Sequence, residues 1–428
     1  MSLLHITAHL GGGVGKVLAS LVAESQRRQS GIRHTVACLE APEKFQFAEQ
    51  VQAHGGHLLL CPTNQELAGQ IRQADIVQLE WWHHPVVAGW MCADELPPMR
   101  LVVWSHVSGL HPPEIPPAFV AAPHRFLFTS PCSWEHPRLA ALEPKVRQRV
   151  GVVYSSGGFH DLPIPSARHH NGSLRVGYVG TLNFAKLHPR LMDFLAAVRL
   201  PSFRLALVGD PTTGTELLTN AASTGIKDLE LRGYRADVAK ELAGFDVLAY
   251  LLNPLHYGTT ENALLEAMAM GVVPIVLNNP AERHLVTHLE TGIVVDGPAA
   301  FADALDWLAA NPDERARLSA NAARTARARF AVERTADGLM THYQAVLKEE
   351  KRSYDLRPVF GCEPADWFRA CQGAEAWRFS DSGASKRPTG FVPSFLYERT
   401  KSSVFHYRAT YPSDVRLAYW AQRLTSAQ

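Results

Sequence analysis

The chain carries almost no net charge. Its 428 residues hold 42 lysines and arginines against 41 aspartates and glutamates, a formal balance of +1. No whole-chain field is there to draw in nucleic acid, which is not expected as a partner. Uninterrupted apolar runs long enough to span a bilayer are missing as well. Residues 3–7 form a short strand with no basic, leader-like segment before it, so no signal peptide is expected. The expected location is the cytoplasm, with peripheral contact at the inner face of the membrane left open. None of the six cysteines (Cys38, Cys61, Cys92, Cys132, Cys362, Cys371) stands in a C-x-x-C pair. Neither zinc nor a disulfide framework is suggested, and reduced thiols are the simplest reading. Internal repeats and low-complexity tracts are absent too, which excludes solenoids and propellers.

What is present is a globular composition, 46% hydrophobic and 19% charged, with enough length for two domains and an extension. Strands are expected at 3–8, 34–39, 57–60, 75–79, 101–104, 126–129 and 151–154, and again at 174–179, 203–208, 229–231, 247–252, 272–277 and 293–295. Helical segments separate them, and helices at 298–310 and 313–348 close the pattern. Alternation of this kind predicts an α/β protein with mostly parallel sheets covered on both faces. Ligands of such sheets sit beyond the C-terminal ends of the strands.

The first such end carries Gly11, Gly12, Gly13, Gly15 and Lys16. A phosphate-binding P-loop would need Gly where Leu10 stands and Ser or Thr where Val17 stands, so that reading is rejected. A tight turn and a close approach by a ligand both remain open for Gly12 and Gly13. Two later strand ends carry candidates of their own. Glu80-Trp81-Trp82-His83-His84-Pro85 combines aromatic faces with hydrogen-bonding groups, and Trp81, Trp82 and His83 are assigned to an acceptor. Trp104-Ser105-His106 places a histidine at the end of the next strand. Residues 156–172, rich in Gly, Pro, Ser and His, read as a linker.

The chain is organised by no segment more than Gly258-Thr259-Thr260-Glu261-Asn262-Ala263-Leu264-Leu265-Glu266-Ala267-Met268-Ala269-Met270-Gly271, which precedes the apolar run 272–277. It reads as loop, helix and buried strand. Thr259 or Thr260 is expected to cap the helix, and Gly271 to end it. The helix start makes the segment 258–262 a natural anion site, through its N–H groups and dipole.

This segment, with Pro274, resembles the donor-site motif of the retaining, nucleotide-sugar-dependent glycosyltransferases of family four. The resemblance implies a GT-B fold: two Rossmann-like doubly wound domains facing across a cleft, here with an aromatic-rich C-terminal extension. It implies that Glu266 holds the ribose of a sugar nucleotide, while Gly258, Thr259, Thr260 and Asn262 face the diphosphate and donor sugar. The motif's second Glu would fall at Gly258, and Glu261 or Asn262 is the expected substitute. His106 matches the family's histidine near the donor sugar. Gly12 and Gly13 match its glycine loop. Gly233, Tyr234 and Arg235 match the turn beside the base. Lys186 matches the lysine that neutralises the leaving diphosphate, but Thr181 stands where the family has an arginine. Arg175, Arg190 and Arg235 are candidates to supply the missing charge. No Asp-x-Asp pair occurs, so no metal and no cofactor are expected; the co-substrate is a nucleotide-diphosphate sugar and the acceptor a carbohydrate, lipid-linked or other glycan.

The domains are expected at 1–155 (acceptor side), 173–350 (nucleotide-sugar side, its last helix returning to the first domain) and 351–428 (extension). The resemblance stops before the extension, whose many aromatics exclude a disordered tail. A small piece packed on the enzyme is preferred there, with a docking surface for a protein partner as the alternative. For the whole chain, the leading expectation is metal-independent sugar transfer to an acceptor hydroxyl with retention. A nucleotide-sugar-binding or partner subunit with little catalysis and a sugar-nucleotide epimerase are the alternatives.

Overall fold

The strand–helix alternation builds two parallel sheets. A computed structural model of the chain describes residues 1–42, 44–93, 95–165, 173–226, 228–380, 393–398 and 402–426. The end of the expected linker (166–172) lies outside the described residues, as does most of 383–393, a stretch of the extension whose Gly, Ser and Pro content reads as a loop. By packing, the chain divides into two units. One comprises Met1–Gly157, Tyr257–Thr260 and Val332–Gln428; the other comprises Gly158–His256 and Glu261–Ala331.

The first unit contains β1 (Ser2–Thr7), β2 (Arg33–Cys38), β3 (His57–Leu60), β4 (Ile76–Trp81), β5 (Leu96–Met99), β6 (Leu101–Ser105), β7 (Arg125–Phe128) and β8 (Val150–Val152). All but β5 join one sheet in the order β3-β2-β1-β4-β6-β7-β8, every pair parallel. Strand order reverses at β1 and β4, where sheets of this kind open a crevice beyond their C-terminal ends. Side chains alternate between faces along each strand. Leu3, Ile76, Val102 and Trp104 pack with Val17 and Leu21 of the helix Gly12–Arg27 and with Leu339 and Tyr343 of the helix Val332–Val346. Leu4, Val77, Leu79, Trp81 and Val103 pack on the other side.

That other side is where the extension goes. Tyr354, Phe360, Trp367, Phe368, Tyr407 and Trp420 share one core with Trp81, Met91 and Phe119. The extension also contributes β15 (Arg352–Tyr354), which pairs antiparallel with β5. The sequence hid this ribbon, because β5 reads Leu-Pro-Pro-Met and proline cannot donate to a ladder. Trp377 and Tyr419 stay exposed.

The second unit contains β9 (Val176–Val179), β10 (Leu205–Val208), β11 (Leu229–Gly233), β12 (Val247–Tyr250), β13 (Val273–Leu277) and β14 (Ile293–Val295), in the order β11-β10-β9-β12-β13-β14 and wholly parallel. Its central strands are buried along their whole length, as the apolar runs required. The long helix expected at 313–348 is two helices, Pro312–Arg329 and Val332–Val346. Between them Phe330 leaves helical geometry at φ −116° and buries its ring, and the chain passes from the second unit to the first at Ala331 and Val332. No helix among the described residues is long and apolar enough to cross a membrane.

Candidate functional site

In the second unit the C-terminal ends of the parallel strands carry Thr181, Lys186, Gly233, Tyr234, Arg235 and the segment from Glu261 on one edge, while Gly258, Thr259 and Thr260 belong to the first unit. Beyond β9 the chain turns at Gly180, whose φ of +151° and 2.6 Å gap from an added Cβ to Tyr178 Oη suit only glycine. The Thr181 carbonyl accepts from the Tyr178 hydroxyl at 2.9 Å. This loop is tied to the one beyond β12. Asn253 donates its backbone N–H to the Lys186 carbonyl at 2.8 Å and its side-chain amide to the Phe184 carbonyl at 2.7 Å.

The ties bring Lys186 against Glu261. Its Nζ donates to both carboxylate oxygens, at 2.7 and 2.6 Å. The Tyr250 hydroxyl donates to Glu261 Oε2 at 2.7 Å. His256 lies between two acids, its Nδ1 3.8 Å from Glu261 and its Nε2 2.9 Å from Glu282. Glu261 is only 6% exposed. Burial alone would push its carboxyl up, but the charges of Lys186 and His256 and the hydrogen bonds hold it down at about 2. Lys186 and Glu261 were separate candidates in the sequence. Here the Glu261 carboxylate is engaged by the Lys186 ammonium and the Tyr250 hydroxyl. His256, Glu261 and Glu282 have ligand-type atoms within 4.8 Å of one another, yet the ammonium already supplies positive charge to Glu261.

The helix Asn262–Ala269 follows directly. Its N-cap is Glu261, with no side-chain capping bond. Neither threonine caps it, contrary to expectation. Thr260 donates its hydroxyl to the Thr129 carbonyl at 2.8 Å and accepts from the Ser155 N–H at 3.2 Å. The Thr259 hydroxyl lies 2.7 Å from that of Thr129. A threonine hydroxyl with these partners cannot turn to a helix N–H. Gly271 ends the helix at φ +71° as expected. Asn262 and Glu266 are half-buried.

Gly233 ends β11 with φ +76°. Tyr234 beside it is 52% exposed, and Arg235 Nε lies 3.5 Å from Glu241. Of the arginines proposed to replace the one lost at Thr181, Arg175 is ruled out by position. It precedes β9 and pairs with Asp246, which precedes β12. Both therefore lie at the opposite edge of the sheet. Arg190 pairs with Asp193.

In the first unit, Gly12 and Gly13 form the exposed first turn of the helix Gly12–Arg27. Across the switch point, His106 donates or accepts at Nε2 with Glu80 Oε2, 2.7 Å away. Its ring tilts against Trp104 and meets Trp82 edge-on. Trp82 is half-buried. Trp81 and His83 are both 0% exposed, and this overturns their assignment to an acceptor. Trp81 packs edge-on against Phe119. His83 donates Nε2–H to the Trp367 carbonyl at 3.0 Å and stacks on Phe368. Rings enclosed by the extension have no face to offer a sugar. Burial also lowers His83 to about 4.

The sequence missed a second group at this edge. His84 Nε2 is 3.3 Å and His9 Nε2 3.9 Å from Glu40 Oε1, and His406 of the extension meets His84 edge-on. The Gly11 N–H donates to His9 Nδ1, so a neutral His9 carries its proton on Nε2, the wrong tautomer for a ligand at that atom. Glu80 was missed as well, though Gln78 and Glu80 on one face of a central strand were a readable signal, since buried polar groups require partners.

Comparison with known proteins finds a family match for part of this geometry. Residues 173–311 match the model of glycosyl transferases group 1. Solved structures align over most of the chain. HepE from Anabaena in complex with UDP has a TM-score of 0.62 at 16% identity, over 81% of this chain and 100% of that one. Its complex with UDP-glucose gives 0.61 at 17%, with the same coverage. Sucrose-phosphate synthase from Thermosynechococcus elongatus gives 0.61 at 16%, covering 81% and 99%. A sequence search of curated proteins finds no match. At such identities the likeness is one of fold, and that fold is the GT-B arrangement of two parallel α/β sheets.

Proposed function

We propose that the protein transfers a sugar from a nucleotide-diphosphate sugar to an acceptor hydroxyl with retention of anomeric configuration, without a metal or other cofactor. The observation that carries the proposal is the match of 173–311 to glycosyl transferases group 1, over the segment in which Lys186 meets Glu261 at the start of the helix bearing Glu266. The UDP and UDP-glucose complexes of HepE favour a uridine nucleotide as donor. In this reading the Lys186 ammonium and the helix start stabilise the negative charge that develops as the diphosphate leaves. Glu261 holds the ammonium in place, Glu266 binds the ribose, and Gly233, Tyr234 and Arg235 flank the base. His106 and Trp82 are the acceptor-side candidates of the first unit. The acceptor is a carbohydrate or other glycan.

Glu266→Gln tests the donor half. If its carboxylate grips the ribose hydroxyls, titration calorimetry with UDP should show affinity weakened about tenfold, the size of a hydrogen bond to a charged group. Unchanged affinity would remove Glu266 from the site. Transfer itself is tested by incubating the protein with nucleotide sugars and following UDP release with and without glycan acceptors.

A second reading, a nucleotide-sugar-binding subunit with little catalysis, is favoured by Thr181 and Gly258 at the two altered motif positions. Release of UDP only when a cell extract supplies a partner would select it. The epimerase alternative finds no support in the compared structures.

A further inference from the structure

We infer that Glu80 is a positioning residue that fixes His106 with its proton on Nε2, leaving Nδ1 as a bare acceptor for a substrate hydroxyl. The catalytic half of this inference rests on the transfer reading; the tautomer half stands on geometry alone.

Glu80 lies in β4 on the face covered by the helix Val332–Val346, and it is 0% exposed. Buried carboxylates need donors, and three surround this one. Gln78 Nε2 donates to Oε1 at 2.6 Å, His5 Nδ1 lies 3.4 Å from Oε1, and His106 Nε2 lies 2.7 Å from Oε2. Burial pushes the carboxyl up, but the bonds and charges of His106 and His5 hold it below its ordinary value. An ionised carboxylate can only accept. The His106 nitrogen that faces it at 2.7 Å therefore carries a proton.

The rest of the network accommodates this. With a proton on His5 Nδ1, His5 Nε2 accepts from His34 Nδ1 at 3.0 Å. His34 Nε2 then accepts from the Ser25 hydroxyl at 2.8 Å. Tyr343 donates its hydroxyl to Gln78 Oε1, which turns the amide N–H toward Glu80. In the opposite arrangement His5 Nδ1 accepts from Gln78 Nε2 at 3.4 Å and Nε2 donates to His34, so the chain beyond His5 runs in either direction and the His106 tautomer rests on its own 2.7 Å bond to Glu80. His106 is thus held in the Nε2–H tautomer. Its Nδ1 has no hydrogen-bond partner among the described residues, and a hydroxyl is the group that such an acceptor takes.

Glu80→Gln discriminates sharply. The Gln78 amide, turned by Tyr343, donates at the Oε1 position, so the new amide places its oxygen there and its NH2 against His106. A donor at that place demands a lone pair on Nε2 and moves the His106 proton to Nδ1. In protein labelled with 15N-histidine, with the His106 signals assigned by their loss in His106→Asn, the wild type should show the Nε2–H tautomer and Glu80→Gln the Nδ1–H tautomer. Turnover should fall at least about 100-fold with KM little changed, the lower end of what a correctly protonated acid–base histidine contributes. A wild-type ring protonated on Nδ1 alone overturns the inference, even if the variant does not fold. So does a variant with an unchanged tautomer, or one with a flipped tautomer and undiminished turnover. Should the wild type transfer sugar from no nucleotide donor, the proposed function fails, while the spectra still decide what Glu80 does to the ring.

Discussion

Lys186→Ala is expected to destabilise the second unit by about 3–5 kcal/mol at neutral pH, because it leaves a buried carboxylate without its cation. The ammonium meets both oxygens of Glu261, and after its loss only Tyr250 and the more distant His256 face that charge. The pH dependence has a definite sign. The Glu261 carboxyl is depressed from an ordinary 4.5 to about 2 in the folded protein. Its stabilising contribution is therefore complete above about pH 4.5 and fades as pH falls toward 2. Urea unfolding of wild type and variant should diverge most near neutrality and converge through that acid window. A constant difference would show that the pair is not its source. The double variant Lys186→Met, Glu261→Gln removes both charges and should recover most of the stability. It should not recover turnover if the ammonium meets the leaving diphosphate, and this separates the structural part of the pair from the chemical part.

Trp420→Ala should be nearly as damaging, at about 3–5 kcal/mol for the first unit. The indole is 1% exposed and packs with Phe368 and Phe379. These belong to the same core as Trp81 and Phe119 of the sheet, so the cavity would open beneath the central strands and not at a detachable edge. Unfolding followed by urea should show a lowered midpoint. An unaltered midpoint would mean that the extension is an independent appendage.

The two sheets were legible because buried parallel strands leave apolar runs and their connections leave helical spacing. The misreadings have identifiable causes. Trp81 looked like a sugar platform because it stands in a loop-like cluster, but two-residue alternation places it with Val77 and Leu79, and its cover arrives from the far end of the chain. His83 was hidden for the same reason. Thr259 and Thr260 had the composition of helix caps, and only the placement of Thr129 redirected their hydroxyls. Lys186 and Glu261 are 75 residues apart, so each was visible as a charged candidate while their union was not. Arg175 was a plausible spare cation until the direction of β9 set it at the wrong edge.

The first unit is assembled from three stretches of chain, the last of them reaching to the C-terminus. During synthesis, the apolar side of its sheet must wait uncovered until residues 354–424 have emerged, although the sheet's own strands were made first. The second unit, interrupted only by Tyr257–Thr260, has no such delay. Nascent chains arrested before the extension should accordingly bind chaperones through the earlier-made half, reversing the usual order in which N-terminal domains mature first.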